Sequence, residues 1–207
     1  MLALPRLIVI TDWTLGRDRV LSAAGAALAV SPEVAVQHRH PEATGRAFLE
    51  EARALREVVA RHPGRRLFVN GRLDVALLVD ADLHLPASAP PAVEVRPLLP
   101  PGRLVSAAVH SREEARAAAG ADLALVSPVF APGSKPGDAR TPLGPGGFDA
   151  LRALLACPAF ALGGVGPENA GLLRGAAGAA AIGAVMRASD PASAAAALLA
   201  ALCSAGR

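Results

Sequence analysis

Short apolar runs alternate with helix-like segments along the whole of this 207-residue chain, and that alternation constrains the fold more than any other feature. Eight runs read as strands: Leu7–Thr11, Val34–Arg39, Arg66–Asn70, Ala81–Leu85, Leu104–His110, Leu123–Phe130, Ala159–Gly163 and Ala179–Met186. Between and after them, helices are expected over Val20–Val30, Ala43–Arg61, Arg72–Val79, Arg112–Ala119, Phe148–Leu155, Pro167–Arg174 and Pro191–Leu202. Strands alternating with helical segments build parallel β-α units. An open doubly wound sheet also satisfies alternation, but eight units favour closure. The expected fold is therefore α/β, a single (β/α)8 TIM barrel with eight parallel strands, formed by residues 1–207 as one domain. The weakest unit is the fourth, because Pro86–Pro101 is too rich in proline for a long helix and should hold one turn or none. Ala131–Gly147, rich in Pro and Gly, reads as a long loop after the sixth strand, where a barrel places an active-site lid.

Composition narrows the function. Five Phe, one Trp and no Tyr leave few platforms for stacking bases, and the +3 formal charge is spread along the chain, so no nucleic-acid partner is expected. No apolar stretch approaches a membrane span and the first residues read as a strand, so no membrane partner and a cytoplasmic location are expected. Cys157 and Cys203 lack metal-ligand spacing, and no metal site is expected from them.

The last third carries two strand-then-glycine units, ending at Gly163-Gly164 and at Gly183-Ala184. Glycine is also needed wherever a strand end turns tightly, but two such units in series match the phosphate site that barrels build after strands seven and eight. Gly163, Gly164, Gly183 and Ala184 are therefore the candidate phosphate-binding residues. Other polar strand-end residues should converge on the same mouth. Gln37 and Arg39 share one strand face, and Arg39 offers a planar fork of donors for phosphate or carboxylate. His38 then points the other way and is expected to be structural. Asn70 can orient a ring or cap a loop; Ser134 and Lys135, in the long loop, can close on an anion or simply be solvated. His84 is expected to be chiefly structural, and Asp12 can steer a turn or meet a ligand. His110 is the candidate catalytic residue, since histidine exchanges protons near neutral pH, although a strand-end histidine also bonds readily to nearby backbone.

In series, Ile10-Thr-Asp12, Val36-Gln-His-Arg39, Val69-Asn-Gly-Arg-Leu-Asp74, Ala81-Asp-Leu-His-Leu85, Val109-His-Ser111, Ser127-Pro-Val-Phe130, Ser134-Lys-Pro136 and Leu162-Gly-Gly-Val165 resemble the thiamine phosphate synthase and TenI group, which includes thiazole tautomerases. The resemblance implies a barrel that binds a phosphorylated thiazole, works in thiamine biosynthesis and forms a homo-oligomer. It also exposes departures. Where the synthase pattern has a Lys after the second strand, an Asp after the third-strand Asn and another beyond the fourth-strand His, this chain has Pro41, Gly71 and the carboxylate-free Pro86–Val93. The two Asp positions carry Mg²⁺ in the synthase, and Mg²⁺ needs oxygen ligands. The second histidine of the tautomerase pattern falls on Pro128. The resemblance thus implies, first, TenI-like proton transfer on a thiazole carboxylate phosphate, assisted by His110 and needing no cofactor. Two alternatives stand beside it: thiamine phosphate synthase itself, joining hydroxymethylpyrimidine diphosphate to thiazole phosphate with Mg²⁺, and a non-catalytic thiazole-phosphate-binding regulator.

Overall fold

The computed structural model describes residues 3–131 and 141–205. The strands are β1 Leu7–Ile10, β2 Val34–His38, β3 Leu67–Asn70, β4 Asp82–Leu85, β5 Val105–Val109, β6 Leu123–Val126, β7 Ala159–Ala161 and β8 Gly178–Ala181. They close in sequence order into an all-parallel barrel, with Leu7 of β1 registered against both Val34 of β2 and Ala179 of β8. The helices are α1 Arg17–Val30, α2 Gly45–Ala60, α3 Leu73–Leu78, α4 Ala92–Val95, α5 Arg112–Ala117, α6 Gly144–Arg152, α7 Pro167–Ala170, α8 Gly183–Met186 and α9 Pro191–Ala205. Strands buried on both faces must be apolar throughout, which is why they read as continuous runs.

Two apolar layers follow from the alternation of side chains. Ile8, Ile10, Phe68, Leu125 and Phe160 fill the barrel, whereas Val9, Val36, Val69, Leu55 and Leu198 pack between strands and helices. Large and small residues interdigitate inside. A Cβ at Gly178 would stand 2.5 Å from Phe160 Cε1, so β8 must be small where β7 is bulky. Asp82 lies near the N-terminal end of the interior. It accepts the Leu104 N–H at 2.8 Å and pairs with Arg66 Nη1 at 2.9 Å.

Several boundaries differ from the sequence reading, four of them instructively. The proline-rich fourth connection holds two short turns, α4 and a 3-10 turn at Arg96–Leu98, since proline is tolerated in a first helical turn. Helix α6 starts at Gly144, four residues earlier than expected, because Pro145 sits in its first turn and the Gly147 N–H reaches Leu143 O at 3.2 Å. The final apolar run is not one strand. It breaks at Ile182, where ψ of −87° leaves the extended region, and Gly183–Met186 turns into α8. Before α1 stands an unanticipated 3-10 turn, Trp13–Leu15, capped by the Asp12 side chain.

Candidate functional site

The C-terminal ends of the strands form the mouth. In parallel register Gln37 adjoins Ile10 and Phe68, Asn70 adjoins His84, and His84 adjoins Ser106. Alternation then puts Gln37, Arg39, Asn70, His84, Ser106 and His110 on the inner face, and His38 on the outer one. His38 behaves as expected of a structural residue. It accepts the Trp13 indole N–H at 3.1 Å and donates to Phe48 O at 3.1 Å, and burial pushes its pKa down to about 4, so the ring is neutral.

Gln37 is 1% exposed, and its Nε2 donates to nothing among the described residues. A buried amide without a partner is expensive, by about 1–3 kcal/mol, which marks Gln37 as a group to account for at the mouth. His84, on β4, is also buried, with Nδ1 2.8 Å from Ser106 Oγ. Burial first, then the charges of Arg39 and His110, push the His84 pKa down to about 3. His84 is thus a neutral ring at the mouth.

His110 follows β5. Its backbone N–H donates to Glu114 Oε2 at 2.6 Å and its Nδ1 lies 2.8 Å from the same oxygen. Glu114 stands in the first turn of α5, where its own N–H donates to the Ser111 hydroxyl at 3.2 Å. Sequence reasoning missed Glu114, although Ser111-x-x-Glu114 is a capping-box pattern that was there to be found. It also missed Ser106 and Arg187. Arg187 donates to Asp12 Oδ2 from Nε at 3.0 Å and from Nη2 at 2.8 Å, joining the end of β1 to the residue after α8. Burial opposes ionisation of Asp12, but bonds from Thr14 and Arg187 outweigh it and hold the carboxyl below its usual range.

The glycine turns stand at the ends of β7 and β8. Gly163 and Gly164 have φ of +94° and +60°. They are also packed closely: a Cβ at Gly163 would lie 2.8 Å from Pro128 Cα, and one at Gly164 2.5 Å from Ala131 O. Phe130 N–H donates to Gly163 O and Val129 N–H to Leu162 O, both at 2.9 Å, so the β6 and β7 turns form one unit. Asn169 pins it from α7, donating to Gly164 O at 2.8 Å and accepting from Gly166 N–H at 3.0 Å. Among the described residues, the N–H groups of Gly163, Gly164, Gly183 and Ala184 donate to no backbone acceptor. Four such donors at two adjacent strand ends suit an anion with several oxygens. Ser134 and Lys135 lie outside the described residues.

Metal ligands are scarce here. Asp12, Asp74 and Glu114, which follow β1, β3 and β5, are already bonded to Arg187, Arg72 and His110. No group of three His, Cys, Asp or Glu side chains among the described residues is arranged to hold a metal ion. No helix among them is long and apolar enough to cross a membrane.

Comparison with known proteins agrees with this geometry. The family model described as thiamine monophosphate synthase matches residues 7–188. The thiamine-phosphate synthase of Moorella thermoacetica is 40% identical over 193 residues, covering 91% of this chain and 90% of that protein. A putative thiamine-phosphate synthase of Geobacter sulfurreducens is 40% identical over 206 residues, covering 95% and 93%. Among solved structures, a thiamine phosphate pyrophosphorylase from Pyrococcus furiosus superposes with a TM-score of 0.82 at 31% identity, covering 97% of this chain and 96% of that one.

Proposed function

Because the chain belongs to the thiamine monophosphate synthase family, we propose that its barrel mouth holds a phosphorylated thiazole for a reaction of thiamine biosynthesis. One observation carries the binding: the N–H groups of Gly163, Gly164, Gly183 and Ala184, which donate to no backbone acceptor among the described residues, stand beside the mouth that Gln37, Arg39, Asn70 and His110 share. A phosphate there receives backbone donors, and the buried Gln37 amide supplies a donor to the ring or its substituents. Arg39, and Lys135 from the long loop, would neutralise further negative charge.

The names of the relatives put coupling first among the possible reactions, ahead of the proton transfer expected from the sequence. In coupling, a bond forms between the pyrimidine carbon and the thiazole as the diphosphate leaves. Mg²⁺ accompanies that chemistry in the family pattern, but the residues here do not fit it. The end of β3 carries Asn70-Gly71, with Gly71 at φ +71° and its N–H on His84 O. The end of β4 runs into Pro86, with no carboxylate before Glu94. In this reading the charge of the leaving diphosphate falls to arginines.

Proton transfer on a thiazole carboxylate phosphate is the second reading, and a separate observation favours it: the His110–Glu114 pair at the end of β5, on the same rim as the glycine turns. It needs a phosphate clamp and one group that exchanges protons, and no metal.

One panel separates the readings. The purified chain is incubated with hydroxymethylpyrimidine diphosphate and thiazole phosphate, with Mg²⁺ or with chelator, and separately with the dearomatised thiazole carboxylate phosphate. Thiamine phosphate in the first arm is the expected result. Turnover in the second arm alone overturns coupling and leaves proton transfer. Thiazole phosphate binding with no turnover in either arm identifies a non-catalytic binder. The expected homo-oligomer is checked by light scattering on the same preparation.

A further inference from the structure

The contact between His110 and Glu114 determines more than the position of a helix. A carboxylate only accepts hydrogen bonds, and Glu114 Oε2 already takes the His110 backbone N–H at 2.6 Å. The 2.8 Å approach of Nδ1 to the same oxygen therefore requires that Nδ1 carry the proton. A neutral imidazole has one N–H, so Nε2 is then bare. Nε2 is on the ring edge away from Glu114, and alternation along β5 puts His110 on the same inner face as Ser106. The protonated edge thus faces α5 and the bare edge faces the mouth.

We infer that Glu114 is a positioning residue that holds His110 in the tautomer with Nδ1 protonated and Nε2 presented to the mouth as a proton acceptor. The carboxylate is itself well placed for this. It belongs to the first turn of α5, its backbone N–H is held by Ser111 Oγ at 3.2 Å, and one oxygen secures both the backbone and the ring of His110. The hydrogen bond made by one ring nitrogen sets the state of the other, which is how a fixed carboxylate makes a histidine a base of one sense. When Nε2 takes a proton, the imidazolium still has Glu114 on its far side. The kinetic consequence rests on the proton-transfer reading, whereas the tautomer assignment stands on the contact alone.

The test uses the full chain, with NMR of ¹⁵N-labelled histidine alongside turnover of the thiazole carboxylate phosphate. In the wild type, His110 Nδ1 should resonate as a protonated nitrogen and Nε2 as a bare one. Glu114→Ala should mix the two tautomers and lower kcat at least tenfold with KM within about twofold, the pattern of a lost transition-state role. Glu114→Gln keeps an acceptor oxygen and should restore the tautomer and part of kcat. Gly64→Ala strains a turn at the opposite end of the barrel, and should lower stability while leaving tautomer and kcat alone. A wild-type tautomer in folded Glu114→Ala overturns the inference, as does equal loss of kcat in Gly64→Ala and Glu114→Ala. If the tautomers shift as expected while the wild type turns over no thiazole carboxylate phosphate, the positioning role stands and the proton-transfer reading falls.

Discussion

Replacing Gly164 by alanine should cost more than its left-handed backbone explains. At φ +60° a non-glycine residue loses about 1–2 kcal/mol for conformation alone. The new Cβ would then stand 2.5 Å from Ala131 O and 2.9 Å from Phe130 Cβ. Backbone cannot yield as a flexible side chain does, so the 128–131 segment must shift. Overpacking of that kind adds about 1–3 kcal/mol, for a total of about 2–5 kcal/mol. Gly64 supplies the control. It has φ +80° but nothing within 4 Å of the point a Cβ would occupy, and it lies before β3, at the opposite end of the barrel from the mouth. Gly64→Ala should therefore lose only about 1–2 kcal/mol. In urea, with a slope of about 2 kcal/mol per molar, an extra 2 kcal/mol moves the midpoint of Gly164→Ala down by about 1 M relative to Gly64→Ala. Calorimetry with thiazole phosphate should show at least a tenfold weaker complex for Gly164→Ala and an unchanged one for Gly64→Ala. Equal midpoints for the two variants would refute the close packing, and equal affinities would refute the anion cradle.

Gln37→Leu removes a buried donor that has no partner among the described residues, so the apo protein should gain about 1 kcal/mol while thiazole phosphate binds more weakly; denaturation and calorimetry on one sample check both, and a less stable variant with unchanged affinity contradicts the role given to Gln37. His38 and His84 should make the fold acid-sensitive. Their folded pKa values lie near 4 and 3, below the unfolded value of 6.5, so the unfolded chain binds more protons over that interval. Stability is then full above about pH 6.5 and falls as pH drops toward 4, by on the order of a few kcal/mol. Urea midpoints measured from pH 7.5 to 4.5 follow this, and a flat profile, or one that rises toward acid, contradicts the buried neutral rings.

Much of the mouth was legible because strand side chains alternate. Once Val34–Arg39 reads as a strand, Gln37 and Arg39 must share a face and His38 must leave it, whatever surrounds them. The glycine turns were legible for a related local reason, since a strand that ends in Gly-Gly announces a positive φ. Their second cause was not. That Gly163 and Gly164 are held against Pro128 and Ala131 depends on β6 lying beside β7, a contact between segments far apart in the chain. The end of the last run was misjudged because Ala179–Met186 is apolar throughout, and an apolar run this short fits a buried strand or a buried helical turn equally well. Only the packing of Val185 and Met186 in α8 separates the two.

The amino-acid sequence by itself determined the number of β-α units, the inward set of strand residues and the turns that demand glycine. These are properties of spacing and local backbone preference, carried within a few residues of each position. Tertiary structure alone decided that β1 closes on β8, that the Gln37 amide finds no partner among the described residues, and that Asp12 belongs to Arg187. Each depends on which groups meet across the barrel once it is closed. The His110–Glu114 pair falls between: its spacing is local, but only the folded turn after β5 brings ring, backbone N–H and carboxylate to one oxygen.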